Sequence, residues 1–182
     1  MYNSYFKDRQ RMKHTTRDHM KIYLFLLIQL LILSACTDKT NNEEIKVYRD
    51  PNCQCCHKWI NHLEENKFNV LDILTTDMTS IKESVQLPKK MASCHTAIIE
   101  GYVIEGHVPA ADIRRLLAEK PDIAGLSVPQ MPVGTPGMEM GERKDNFIVF
   151  QFNKEGKYST FNSYQLDEHN NYQTHLPPLA EH

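Results

Sequence analysis

The chain of 182 residues holds no phosphate-cradling loop, no nucleotide-binding motif and no Ser-His-Asp arrangement. Each of those chemistries needs its residues at a set spacing, so nucleotide-driven catalysis and serine-type hydrolysis are not expected. Lys and Arg nowhere interleave with aromatics in a basic patch, and nucleic acid is not an expected partner. Long apolar runs are lacking too. The run at 22–33 has 12 residues, whereas a membrane span needs about 20.

That short run is nevertheless informative. Residues 1–21 carry six basic residues against two acidic ones, and the apolar run after them ends in Leu33-Ser34-Ala35-Cys36. A basic start, a short apolar stretch and small residues before a cut are the parts of a secretory signal. Leu-Ser-Ala-Cys resembles the bacterial lipobox, in which the cysteine is lipidated and becomes the new N-terminus. Residues 1–36 are thus expected to be a lipoprotein signal with Cys36 as lipidation site, and Met20 is an alternative start. The polar stretch 37–44 reads as a flexible tether. The expected location is the bacterial envelope, facing the periplasm and held to the membrane by the lipid.

From Cys36 onward there are 147 residues, enough for one compact domain. They hold 15 of the 21 basic and 21 of the 23 acidic residues, a formal net charge of −6. Four cysteines remain: Cys53, Cys55, Cys56 and Cys94. Outside the cytoplasm disulfides persist, and four cysteines allow three pairings. A bond between the neighbours Cys55 and Cys56 is geometrically poor. Cys53-Gln54-Cys55-Cys56 combines the Cys-x-x-Cys redox spacing with a third thiol inside it. Such crowding suits metal coordination or redox cycling better than a plain structural staple, and both readings stand.

Residues 45–48 form a short alternating strand, 49–52 a turn, and 53–66 a helix whose apolar face is Trp59, Ile60 and Leu63. Asp50 or Asn52 is expected to cap that helix. Residues 68–74 read as a strand and 78–85 as a short helix. A hairpin is expected from 93–99 and 102–109, turning at Glu100-Gly101. Residues 109–120 are a helix opened by Pro109 and stopped by Pro121. Four prolines and four glycines in 121–141 exclude a regular helix or central strand and predict an ordered loop packed over the domain. Residues 147–152 and 158–161 form a closing hairpin, and 165–182 a loose polar tail.

This order is that of an α/β thioredoxin-like domain, with the Cys-x-Cys-Cys motif at the start of the first helix. In that fold the first turn of the helix lies beside the segment entering the hairpin, here Met91 to His95, so Cys94 and His95 are expected near Cys53 and Cys56. Ser93-Cys94-His95 stands where a thioredoxin-like reductase would carry a cis-proline. Further stretches are diagnostic together: Lys58-Trp59, Ser93-Cys-His-Thr96, Glu105-Gly-His-Val-Pro109, Arg115-Leu-Leu117, Gly125-Leu-Ser-Val-Pro129, Met131-Pro132 and Pro136-Gly-Met-Glu-Met-Gly141. With the cysteine motif they resemble the bacterial domain-of-unknown-function family 411, which includes periplasmic CopG-like proteins associated with copper resistance. The resemblance covers about 45–162. It implies a thioredoxin-like fold binding copper through the cysteines, with Cys53 and Cys56 at the redox-pair positions and Cys94 the distal thiol. Gln54 and His57 stand where most or many members have glycine.

Thiolates and thioethers select copper(I), zinc or iron–sulfur species; copper(I) is the expected ion, with zinc the alternative. Cys53, Cys56 and Cys94 make a three-sulfur environment, and Cys55 can bridge if more than one ion binds. A thiolate at a helix N-terminus is stabilised by unpaired N–H groups. His95 is a candidate ligand, its alternative a hydrogen bond holding the loop, because neighbours in a strand face opposite ways. His107 reads as a capping or packing residue. His57, inside the helix, points at solvent. Met138 and Met140 are candidate soft donors or packing groups, Met131 a packing group, and Trp59 core.

Three functions follow. The first is an envelope copper(I)-binding protein for copper handling or resistance, with other copper-handling envelope proteins as partners. The second is a thiol–disulfide or copper-linked oxidoreductase using Cys53 and Cys56. The third is a structural domain stabilised by metal or a disulfide.

Overall fold

The computed structural model describes residues 44–176. The expected signal, Cys36 and the tether up to residue 43 lie outside the described residues. Strand β1 (Glu44–Arg49) alternates as its sequence requires, with Ile45 and Val47 buried. Glu44, expected in the tether, is its first residue. Helix α1 (Gln54–Glu65) follows, then β2 (Asn69–Leu74) and α2 (Met78–Ser84). A single 3-10 turn (Lys89–Met91) leads to β3 (His95–Ile99) and β4 (Tyr102–Gly106), then to α3 (Ala110–Glu119). Four more strands complete the described residues: β5 (Gly125–Val128), β6 (Phe147–Phe152), β7 (Tyr158–Leu166) and β8 (Tyr172–His175).

All eight strands form one sheet in the order β2-β1-β3-β4-β5-β6-β7-β8. β1 and β2 run parallel across the α1 crossover, β3 is antiparallel to β1, and β4 is antiparallel to β3. With α3 closing it, this half is the thioredoxin-like arrangement read from the sequence. The β3–β4 hairpin turns at Glu100-Gly101, as expected.

Trp59, Ile60 and Leu63 of α1 and Ile113 and Leu116 of α3 bury themselves on Ile45, Val47, Ala97, Ile99 and Ile104 of the sheet. Full burial of such side chains contributes about 1.5–3 kcal/mol each. Strand alternation sends Val103 to the opposite face, where it packs with Met91 and Phe152 beside Val85 and Leu87. Among the described residues no helix is long and apolar enough to cross a membrane.

Two expectations are corrected. The Pro/Gly-rich stretch 121–141 contains a central strand: β5 pairs parallel with β4 and antiparallel with β6. Its prolines stand outside the strand, and Gly125-Leu-Ser-Val128 between them retains every backbone donor the ladder needs. The polar stretch expected as a loose tail from 165 carries the end of β7 and then β8, which pair from Ser163↔His175 to Leu166↔Tyr172. Tyr172 anchors it, edge-on to Phe147 and Tyr164. Three of its four residues are exposed, so no apolar alternation marked this edge strand in the sequence.

Candidate metal centre

The end of β1 and the first turn of α1 build one wall of the site. Arg49 grips Asp72 of β2 through two hydrogen bonds of 2.9 and 2.7 Å. Asp50 turns the chain: its side chain accepts from the Asn52 N–H at 2.8 Å, and its carbonyl from the Cys53 N–H at 3.0 Å. Neither Asp50 nor Asn52 caps α1. Cys53 is the N-cap and supplies no capping hydrogen bond. The positive end of the helix therefore faces the sulfur atoms.

Cys53 and Cys56 form a disulfide, and Cys55 and Cys94 are free thiols. Cys55 Sγ lies 3.6 Å from Cys53 Sγ. The four sulfurs of Cys53, Cys55, Cys56 and Cys94 all lie within 4.8 Å of one another. The fold thus brings Cys56 and Cys94 together across a sequence separation of 38, as the topology predicted.

A second donor group meets the first at Cys94. His95 Nδ1 is 3.2 Å and His107 Nε2 3.3 Å from Cys94 Sγ. The sequence reading left His95 open and favoured capping or packing over ligation for His107. The structure places both rings against the thiol, within reach of one metal ion. His107 Nδ1 stands 2.7 Å from the Pro136 carbonyl. A carbonyl only accepts, so Nδ1 carries the proton and Nε2 presents its lone pair to Cys94. That tautomer, held by a backbone carbonyl, is the state of a histidine ready to ligate a metal. The His95 ring is fully buried, 4.4 Å from the Trp59 ring, and its Nε2 has no hydrogen-bond partner among the described residues.

Burial dominates the titration of the site. It pushes the Cys94 thiol up to about 12, with neighbouring Cys55 adding to the effect. Burial also holds His95 well below the ordinary imidazole value; the repulsion it would meet from a protonated His107, and that from Lys82 and Arg49, acts in the same sense. His107 is lowered by burial too, against the opposing pull of the Pro136 carbonyl and Glu139. Both imidazoles are neutral donors and Cys94 is a protonated thiol until a metal displaces its proton.

The 129–141 loop forms the lid of this wall. Gly137 has a φ of +83°, and a Cβ there would stand 2.7 Å from the Trp59 nitrogen and 2.8 Å from the Cys55 carbonyl. Only glycine allows this contact. Met138, next in sequence, is half-buried, whereas Met140 is exposed. Met131, expected to pack the loop down, is 48% exposed. His57 is exposed and takes no part in the two donor groups. Trp59 is core and donates its Nε1–H to the Val108 carbonyl at 2.9 Å, while His62 Nε2 accepts from the Ala110 N–H at 3.1 Å. α1 therefore supplies cysteines and also fixes the segment that carries His107. Glu105, which sequence reading passed over, is fully buried behind Ser93. Its signal was there, a carboxylate inside the apolar strand Tyr-Val-Ile-Glu-Gly.

The family model for proteins of unknown function DUF411 matches residues 91–138. No curated protein matches the chain. Two solved structures of the copper resistance protein CopG do. Form 2 is 47% identical over 68% of this chain and 98% of its own, with a TM-score of 0.65. Form 1 is 49% identical over 66% of this chain and 96% of its own, with a TM-score of 0.63. Identity of that degree across almost the whole of both relatives, with the cysteine and histidine donors gathered at one site, means that the chain belongs to the DUF411 family of CopG-like proteins.

Proposed function

We propose that this protein binds copper(I) in the bacterial envelope and serves copper handling or resistance through its cysteine cluster. One observation carries the reading: four sulfurs within 4.8 Å converge with two neutral imidazoles on Cys94. Soft sulfur with imidazole suits copper(I), and zinc is the competing ion. With the Cys53–Cys56 bond reduced, Cys53, Cys55, Cys56 and Cys94 are the sulfur ligands, and His95 and His107 complete the set. Met138 is a further thioether donor at the lid, and Met140 the more exposed one. Lipidation at Cys36 would hold the domain to the membrane and keep the site facing the periplasm, in reach of other copper-handling envelope proteins.

The test is a titration of copper(I) and zinc into the reduced chain, against a competing chelator and with metal counting, beside C53S and C94S. Tight copper(I) binding lost in both variants is the expected result. Weak binding indifferent to C94S sinks the reading.

The disulfide favours a second reading, a copper-linked oxidoreductase using Cys53 and Cys56. Forming the Cys53–Cys56 bond from two thiolates releases two electrons, which reduce two copper(II) ions to copper(I). Mixing reduced protein with copper(II) should then yield the disulfide and copper(I) in a ratio of one to two. With oxygen excluded, copper(II) left unreduced and Cys53 and Cys56 left as thiols would sink this second reading.

A further inference from the structure

The segment holding Cys94 has lost the support of the sheet. The β3–β4 ladder begins at Thr96↔Glu105, so Ser93 and Cys94 lie beyond its last rung. Three fixings replace it. The Gln130 N–H donates to the Ala92 carbonyl at 3.5 Å, and the Ser93 hydroxyl donates to the Gln130 carbonyl. The third is a side chain: the Ser93 N–H donates to Glu105 Oε1 at 2.6 Å.

That carboxylate is itself held from two sides. Lys82 of α2 forms an ion pair with Glu105 Oε1. Thr96 Oγ1 donates to Oε2 at 2.7 Å and accepts from Lys82 Nζ at 3.0 Å. Glu105 is fully buried, so its position is set by these partners and by no solvent. Gly106 completes the fit with a φ of +71°. A Cβ there would lie 2.6 Å from Ser93 Oγ and 2.5 Å from the Val128 carbonyl. A buried ion pair is weak grounds for stability, since apolar residues of like volume often serve as well. Its place directly behind a thiol that no ladder supports gives it another use.

We infer that Glu105 is a positioning residue of the metal centre: it clamps the Ser93 N–H and so sets where Cys94 stands between the Cys-x-Cys-Cys thiols and His107. The role toward metal rests on the copper reading above. The placing of Cys94 does not depend on it.

The two are separated by reading the thiol itself. In the full chain carrying C36S and C55S, with the Cys53–Cys56 disulfide intact, Cys94 is the one thiol left of five. K82M/E105L replaces the pair with apolar bulk and removes the acceptor. Alkylation of Cys94 by iodoacetamide should then accelerate by about tenfold or more. In the reduced chain without the cysteine substitutions, copper(I) affinity should fall by about 10- to 100-fold, the usual cost of losing an outer-shell partner. K82M/E105Q, whose amide oxygen accepts from Ser93 and whose amide N–H donates to Thr96, should return both values close to the parent's. E105D keeps the charge and Lys82 on a stem one methylene shorter, and should lose the clamp. It carries the test if K82M/E105L does not fold. A folded K82M/E105L or E105D with the parental alkylation rate overturns the inference, whatever copper does. Faster alkylation in a protein whose parent binds no copper(I) sustains the clamp and removes the copper reading instead.

Discussion

Cys94 is where the two donor groups share an atom, and its protonation decides how they load. Burial holds its thiol near 12, so at neutral pH the proton must leave when metal arrives. Calorimetric titration of copper(I) into reduced protein, repeated in buffers of different ionisation enthalpy, should show one proton fewer released by C94S than by the parent. Equal release would mean that Cys94 is no ligand. The cysteines themselves were legible, because soft residues crowded at redox spacing advertise their chemistry. His107 was not. Between a glycine and a helix start it reads as a capping or packing residue, and its tautomer depends on the Pro136 carbonyl, 29 residues away, accepting from the Nδ1–H.

At the scale of elements, α1 binds the site together. It carries Cys55 and Cys56 with Cys53 as its N-cap, receives Gly137 of the lid against its first turn, and reaches Val108 and Ala110 through Trp59 and His62. In G137A a side chain must enter backbone at a positive φ. The substitution should cost roughly 1–3 kcal/mol, measurable by denaturant unfolding, and should weaken copper(I) binding by displacing the loop. His62 adds a pH dependence. Burial lowers it from the ordinary 6.5, against the opposing carboxylates of Glu139 and Glu65. The folded state then binds its proton less readily than the unfolded chain does. The associated stability is fully present above pH 6.5 and is lost as pH falls through the lowered value. His95 acts in the same sense. Melting temperatures of metal-free H62Q, whose amide oxygen can accept from Ala110 but does not titrate, should fall less steeply on acidification than the parent's. An unchanged slope would assign the acid sensitivity elsewhere. The helices and the central hairpin were readable from periodicity and turn residues. The strand β5 was not, since four residues between prolines carry no periodic signal.

Across the whole molecule, the last strand is connected to the metal centre through the lid. The Tyr172 hydroxyl of β8 donates to the Asp145 carbonyl at 3.0 Å, and Lys144 donates to the Asn170 carbonyl at 2.9 Å. Asp145 in turn accepts from the Val133 N–H at 3.0 Å, within the loop that ends on α1. Y172F keeps the ring packing and removes the hydroxyl. Faster amide exchange in 133–138, with strands β1–β4 unaffected, is the expected result. Exchange confined to β8 would show that the lid stands without it.

Residue types and local periodicity were enough to identify the soft-donor chemistry, the Cys-x-x-Cys helix and the thioredoxin-like first half, because each is written in neighbours along the chain. The junction at Cys94, the tautomer of His107, the burial that holds the thiol protonated and the clamp of Glu105 required the folded molecule. They arise from groups tens of residues apart whose properties are set by distance, desolvation and a shared hydrogen bond, and none of these exists until the sheet has closed.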